Sequence, residues 1–236
     1  MYARRYQLNG TSNTRDLGGY PLESGGTTRY GRFLRSDVPS ALTPEDIRLL
    51  WELGVRDSID LRTPEERRNR PSSLEQSPIR CWSCPFVEGS AVPEWEEDIP
   101  QSYLAVLESP QMEQVLRIIL QAQGGVLFHC SAGKDRTGVV SMFLLLHAGV
   151  PQQDILEDYQ LSDGYLAPRI QAMRQKEPGL PPFLGRAKRW YLEEAMTLFG
   201  KRYGTTEQYL EQCGFSAQQQ QALREHLTKE EATWHR

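Results

Sequence analysis

The chain has 236 residues, 39% of them drawn from AVILMFWYC and 25% charged. That length fits one large or two small domains with a core needing no staples, and the composition excludes a disordered or collagenous chain. Its 27 basic and 31 acidic residues leave a net charge of −4, which argues against a nucleic-acid partner but leaves room for a local cationic pocket.

Met1–Tyr6 contains Arg4 and Arg5 with no apolar stretch behind them, so no cleavable signal is expected. Asp16-Leu17-Gly18-Gly19-Tyr20-Pro21 has turn chemistry, and Arg32–Ser36 is a short strand. Thr43-Pro44-Glu45-Asp46 and Thr63-Pro64-Glu65-Glu66 each set a Thr cap, a proline at the first helical position and an acid at the third. The first of these helices carries Ile47, Leu50 and Trp51 on one face and ends before Gly54. Next, Val55–Arg62 reads as a strand whose alternation puts Val55, Ile59 and Leu61 on one side. Arg67-Arg68-Arg70, like Arg186-Lys188-Arg189 further on, reads as a solvated helix face, with attraction of anionic lipid headgroups as the alternative. Ile79–Phe86 is another strand; its Cys81 and Cys84 form a lone CxxC, read as small buried strand cysteines and not as zinc ligands.

A helix through Val115–Gln121 ends at Gly124-Gly125, and Val126-Leu127-Phe128 is an apolar run suited to a strand buried on both faces. From Thr137 a helix carries Val139, Val140, Phe143, Leu144 and His147 until Gly149 and Pro151 stop it. At the end of that helix His147 suits the dipole as a cation. Beyond 151 the patterns are helical only, with Pro178–Pro182 a loop and Ser216–Gln219 a capping box. The strand–helix alternation predicts an α/β fold with a central, mainly parallel sheet flanked by helices and a helical C-terminal extension. A single domain over 1–236 is expected, with its core in 1–150 and the extension in 151–236. The stretches 85–110 and 160–190 are long enough to supply lids.

No apolar run, Met142–Leu146 included, approaches the ~18 residues that span a bilayer, so stable membrane insertion is not expected. Four cysteines without an export signal point to a reducing, cytoplasmic setting, with export by a route lacking a cleavable signal left open. His129, His147, His226 and His235 lack ligand spacing, so neither a metal nor another cofactor is expected.

The chemistry concentrates in Phe128-His129-Cys130-Ser131-Ala132-Gly133-Lys134-Asp135-Arg136-Thr137-Gly138. Between a buried strand and a helix, successive backbone amides can curl into an anion-binding nest, and the helix N-terminus adds its own free N–H groups. Gly133 permits the tight turn, and Arg136 offers a planar fork matched to two phosphate oxygens. Such a field stabilises a thiolate over a thiol, which places Cys130 as nucleophile beneath the phosphorus. The Thr137 hydroxyl is placed to donate to that sulfur, and His129 to orient the loop by hydrogen bonding. The phosphate-binding residues are thus Ser131, Ala132, Gly133, Lys134, Asp135 and Arg136. A nucleotide P-loop is excluded, because Phe128 and Asp135 stand where it needs Gly and Ser or Thr. Asp60 and Arg62 would reach the same sheet edge if their strand runs parallel to Val126–Phe128, as an acid or as a bracing ion pair. Asp98, within Trp95-Glu96-Glu97-Asp98, is a third candidate for the acid and reads more readily as part of an acidic surface loop.

His-Cys-Ser-Ala-Gly-Lys-Asp-Arg-Thr-Gly resembles the active-site loop of the cysteine-dependent protein tyrosine phosphatases, in particular the atypical microbial branch reading HCxxGKDRTG. Asn13-Thr14-Arg15-Asp16-Leu17-Gly18-Gly19, Arg35-Ser36-Asp37 and Ile59-Asp60-Leu61-Arg62-Thr63-Pro64-Glu65-Glu66-Arg67 agree with that branch. The resemblance implies a phosphocysteine at Cys130, charge stabilisation by Arg136, and Asp135 as the acid. It also associates Lys134 with phosphoinositide activity, so the implied partners are a phosphorylated protein or a phosphoinositide.

Overall fold

The structure, a computed structural model, describes residues 4–87 and 91–229, with Lys229 by its backbone alone. Met1–Ala3 of the N-terminal segment, His235 and residues 88–90 of the 85–110 stretch lie outside the described residues. In chain order the strands are β1 (Arg15–Asp16), β2 (Thr27–Thr28), β3 (Phe33–Ser36), β4 (Val55–Asp60), β5 (Arg80–Ser83), β6 (Gly125–His129) and β7 (Thr228–Lys229). The helices are α1 (Pro44–Glu52), α2 (Pro64–Asn69), α3 (Ile99–Glu108), α4 (Pro110–Gln121), α5 (Asp135–Ala148), α6 (Gln152–Lys176), α7 (Arg189–Tyr203), α8 (Thr206–Gln212) and α9 (Ala217–Leu227).

The central sheet has the order β1-β3-β6-β4-β5. β3, β6, β4 and β5 run parallel, and β1 is antiparallel at one edge. All five residues of β6 are buried, as a strand covered on both faces requires. Leu34, Val55 and Leu127 pack in a small cluster on one face with Leu8, Leu50, Leu74 and Ile79. Phe33, Ile59, Val126 and Phe128 join the larger cluster on the other, together with residues of α3 to α9. Phe143 of α5 meets Phe199 of α7 and Tyr209 of α8 edge-on, so the C-terminal helices share the core of the sheet. Parallel pairing sets Ser36 and Asp60 beside His129. Three strand ends therefore converge where the loop after β6 begins.

Thr43, Thr63 and Ser216 each form the capping box read from the sequence. Other expectations are corrected. A register shift between Val55 and Asp57 turns Val55 to the face opposite Ile59 and Leu61, because an extra strand residue inverts the alternation. Trp51 is 38% exposed and lies under the Arg56 guanidinium, leaving Leu50 as the buried apolar residue of α1. Cys81 is exposed because β5 is the edge strand, while Cys84 is buried; both thiols are free. Burial of His147 pushes its imidazole below its ordinary range, so it is neutral between Thr206 and the Gln220 carbonyl and not a dipole-compensating cation. The helical tail also ends in a strand, β7, which pairs with β2. The stretches 85–110 and 160–190 contain helix, α3 at 99–108 and α6 as far as Lys176, and each supplies a wall of the cleft at the site, through Ile99 and Phe183 among others. No helix among the described residues is long and apolar enough to cross a membrane.

Candidate active site

Cys130 follows β6 directly and is 2% exposed. Three consecutive carbonyls after it are held from outside. Ser131 O accepts from Arg169 at 3.2 Å. Ala132 O accepts from the Asn13 amide at 3.0 Å, and Gly133 O from that amide at 3.0 Å and from Arg35 at 2.8 Å. Tethered carbonyls leave the loop amides free of those partners, the arrangement that an anion nest requires. Gly133 has φ +65°, and a Cβ there would meet Asp37 N at 2.4 Å and Ser36 O at 2.5 Å. Both the backbone angle and the close approach demand glycine. α5 begins at Asp135, two residues before the predicted start, which puts Asp135 and Arg136 in its first turn.

Arg136 is gripped by Glu66, with Nη1 to Oε2 at 2.6 Å and Nη2 to Oε1 at 2.7 Å. Glu66 Oε1 also accepts from the Ser131 hydroxyl, and Oε2 from the Thr63 amide at 2.9 Å. One carboxylate thus closes the cap of α2 and aims the guanidinium of the loop. Burial opposes the Arg136 charge, but Glu66, Cys130 and Asp135 together raise its affinity for the proton above the ordinary value. On Glu66, burial is outweighed by Arg136 and Ser131, and its carboxyl is pulled down to about 2.

Asp135 faces a cleft of about 70 Å³, lined also by Lys134, Arg136, Tyr103, Ile99, Val92 and Phe183. Its Oδ1 accepts from Tyr103 at 2.5 Å and from Lys134 at 2.6 Å. Burial would raise its carboxyl, but the Lys134 ammonium and the Tyr103 hydroxyl outweigh that and leave it below the ordinary value. Lys134 is 4% exposed and donates also to the Arg186 carbonyl at 2.9 Å. Asp60 and Arg62 do emerge at this edge, joined to each other at 2.6 and 2.9 Å, and Arg62 reaches on to Arg70 O. Asp98 is exposed ahead of α3 and makes no side-chain cap. Two expected contacts are not made. The Thr137 hydroxyl is buried with no hydrogen-bond partner among the described residues, so it does not donate to the sulfur. Neither His129 nitrogen makes a hydrogen bond of normal geometry; Asp60 lies 3.8 Å from Nδ1, and burial pushes the ring down to about 4, so it is neutral.

Beneath the loop lies a buried ionic brace that sequence reasoning missed. Asp158 accepts from Arg15 at 2.8 Å, from Arg35 at 2.6 Å and from the Tyr20 hydroxyl at 2.9 Å. Arg15 also holds the Asn13 side chain at 2.5 Å, so the brace supports two of the three donors that orient the loop carbonyls, Asn13 and Arg35. Glu66, Tyr103 and Tyr159 were missed too. The capping box and the family-like Arg15 and Arg35 segments were visible, but nothing local tied them to residue 136 or 133.

A mainly parallel sheet that delivers a buried cysteine into a tight loop, with a clamped arginine at its far end, defines the class of cysteine-dependent phosphatases. This chain belongs to the tyrosine phosphatase family, whose profile matches residues 6–229, and it is a phosphoric monoester hydrolase of that family. It is 33% identical over 216 residues to a tyrosine-protein phosphatase of Nostoc commune, covering 83% of this chain and 74% of the relative. Among solved structures it is similar to P. aeruginosa TpbA, at 26% identity and a TM-score of 0.36, with 55% of this chain and 68% of that chain covered. It is also similar to the core catalytic domain of the PP-IP phosphatase SIW14 from S. cerevisiae, at 19% identity and a TM-score of 0.38, with 77% and 94% covered.

Proposed function

We propose that the protein removes phosphate from phosphotyrosine in proteins through a phosphocysteine at Cys130, with 1–236 acting as one catalytic unit. The sulfur attacks phosphorus in line; the S–P bond forms as the bond to the phenolic oxygen breaks. The loop amides and Arg136 hold the equatorial oxygens, and Asp135 gives the leaving oxygen its proton. Water then attacks the thiophosphate, passes a proton to Asp135, and frees inorganic phosphate and the sulfur anion. The observation that carries this reading is the outward tethering of the Ser131, Ala132 and Gly133 carbonyls.

Asp135 is favoured over the other carboxylates because it lines the cleft, whereas Asp60 is held by both ends to Arg62. Its carboxyl takes up the proton it needs when a phosphate dianion enters, since a neighbouring negative charge favours the neutral form. Ile99, Val92 and Phe183 give the cleft apolar walls, which suit a phenyl ring better than an inositol ring. A phosphoinositide would have to draw Lys134 from Asp135 and Arg186. The four free cysteines suit a reducing compartment.

The test is a panel of phosphotyrosine, phosphoserine and phosphothreonine peptides and phosphoinositides, run with wild type and Cys130→Ser. Phosphotyrosine turnover that vanishes in the variant supports the proposal. Full residual activity in Cys130→Ser would overturn the covalent route, and turnover confined to phosphoinositides would overturn the substrate.

A further inference from the structure

We propose that Tyr103, backed by Tyr159, is a positioning residue that aims the Asp135 carboxyl, so that Oδ2 is the oxygen that delivers the proton to the leaving group. This rests on Asp135 being the general acid and says how it is presented.

The assignment of protons follows from counting donors. Tyr103 Oη lies 2.5 Å from Asp135 Oδ1 and 2.6 Å from Tyr159 Oη. An ionised carboxylate only accepts, so Tyr103 gives its one proton to Oδ1. Tyr159 must then give its proton to Tyr103, and the chain has a fixed direction. Lys134 Nζ lies on the same Oδ1 at 2.6 Å. Two donors occupy one oxygen, and when the carboxyl takes up a proton it takes it on Oδ2.

The two hydroxyls are held rigidly. Tyr103 is 1% and Tyr159 0% exposed, and their rings meet edge-on with centroids 6.1 Å apart. Tyr159 also presses on the start of α5, where a Cβ at Gly138 would come within 3.1 Å of its ring. Tyr103 comes from α3 and Tyr159 from α6, so the acid in α5 is located by two other helices. The charged and titratable groups that face Asp135 are Lys134, Arg136, Tyr103, Tyr159 and Tyr191. Burial, with Asp135 adding to it, keeps the Tyr103 phenol protonated well beyond its ordinary range, and burial does the same for Tyr159. Both therefore remain donors at any working pH.

The experiment compares wild type, Tyr103→Phe, Tyr159→Phe and Asp135→Asn on aryl phosphates from 2,4-dinitrophenyl phosphate to phenyl phosphate, reading kcat/KM, the parameter that covers departure of the leaving group. Dinitrophenolate leaves without a proton; phenolate needs one. Tyr103→Phe should lower kcat/KM about tenfold on phenyl phosphate and under about twofold on the dinitrophenyl ester. Its alkaline limb should move to higher pH, because a carboxyl that has lost a donor holds its proton longer. Tyr159→Phe should act in the same direction, more weakly. An equal loss on every ester, or no loss, would overturn the positioning role. If Asp135→Asn loses activity selectively on phenyl phosphate while Tyr103→Phe does not, the role of Tyr103 fails and that of Asp135 stands. If Asp135→Asn itself retains phenyl phosphate turnover, the acid is misassigned and both fail.

Discussion

Glu66 holds both terminal nitrogens of Arg136, at 2.6 and 2.7 Å, across 70 residues of chain. The pairing fixes the plane of the guanidinium before any substrate arrives, and leaves Nε outside the clamp. A guanidinium free to rotate would lose entropy each time it met a phosphate, so the clamp shifts that cost from binding to folding.

Glu66→Gln and Glu66→Ala separate the two tasks of this side chain. Glutamine keeps an oxygen for the Thr63 amide, since Gln also serves at the third position of a capping box. Its stability should fall little, while catalytic efficiency falls by about tenfold because a neutral amide grips Arg136 less well. Alanine should show that loss and a further ~1 kcal/mol of destabilisation from the broken cap. Urea unfolding beside steady-state kinetics checks both; a glutamine variant with unchanged kinetics would remove Glu66 from the site.

Asp158→Asn should be among the most damaging substitutions in the chain. It would leave Arg15 and Arg35, each 1% exposed, without their shared counter-charge, which costs about 3–5 kcal/mol for a buried pair. Arg35 is already pushed down to about 10, by burial and then by Arg15. The readout is the urea midpoint, with phosphatase activity lost in step as the carbonyls of 132 and 133 lose their tethers.

What the sequence disclosed follows from the range of the interactions involved. Cys130, Gly133 and Arg136 share one loop and one chemistry, so local spacing made them readable. Asp60 and Arg62 at the sheet edge of the loop followed from reading two strands as parallel. The Val55 face was misread because the bulge before Asp57 has no local signature. Asn13, Arg35 and Asp158 act on the loop or on one another over separations of 98 to 123 residues, where residue type alone names no partner. The Tyr103–Tyr159 contact was hidden for the same reason, since 56 residues separate the two hydroxyls.

Gly133→Ala should abolish turnover. The added methyl meets Asp37 N at 2.4 Å and Ser36 O at 2.5 Å, at a φ of +65° that alanine rarely adopts. Relief requires the loop to move off β3, which releases the carbonyl held by Arg35 and spoils the cradle. A stability loss of at least ~1 kcal/mol is expected, with inorganic phosphate no longer inhibiting; retained inhibition by phosphate at wild-type concentrations would show that the turn tolerates the methyl.

His129 is buried and held neutral, its ring pushed from 6.5 down to about 4 by burial, with Arg62 and Arg136 adding to that and Asp60 opposing it. Above pH 6.5 the ring is neutral in both folded and unfolded chains and contributes no pH dependence. As the pH falls from 6.5 to 4, the unfolded chain takes up a proton that the folded chain refuses, so stability drops, by roughly 3 kcal/mol over the window. His147 and His226 are displaced in the same direction and add to this contribution, whereas Asp16, whose carboxyl burial pushes up to about 6, and Asp37, raised likewise, oppose it, because the folded chain takes up those protons first. Glu66 acts lower, its contribution being lost as the pH falls from about 4.5 to about 2. His129→Gln should therefore flatten part of the slope between pH 4 and 6.5 while leaving the decline below 4 in place. Urea unfolding at half-unit steps of pH measures this directly, and an identical slope in the variant would mean that the ring is not held neutral by its burial.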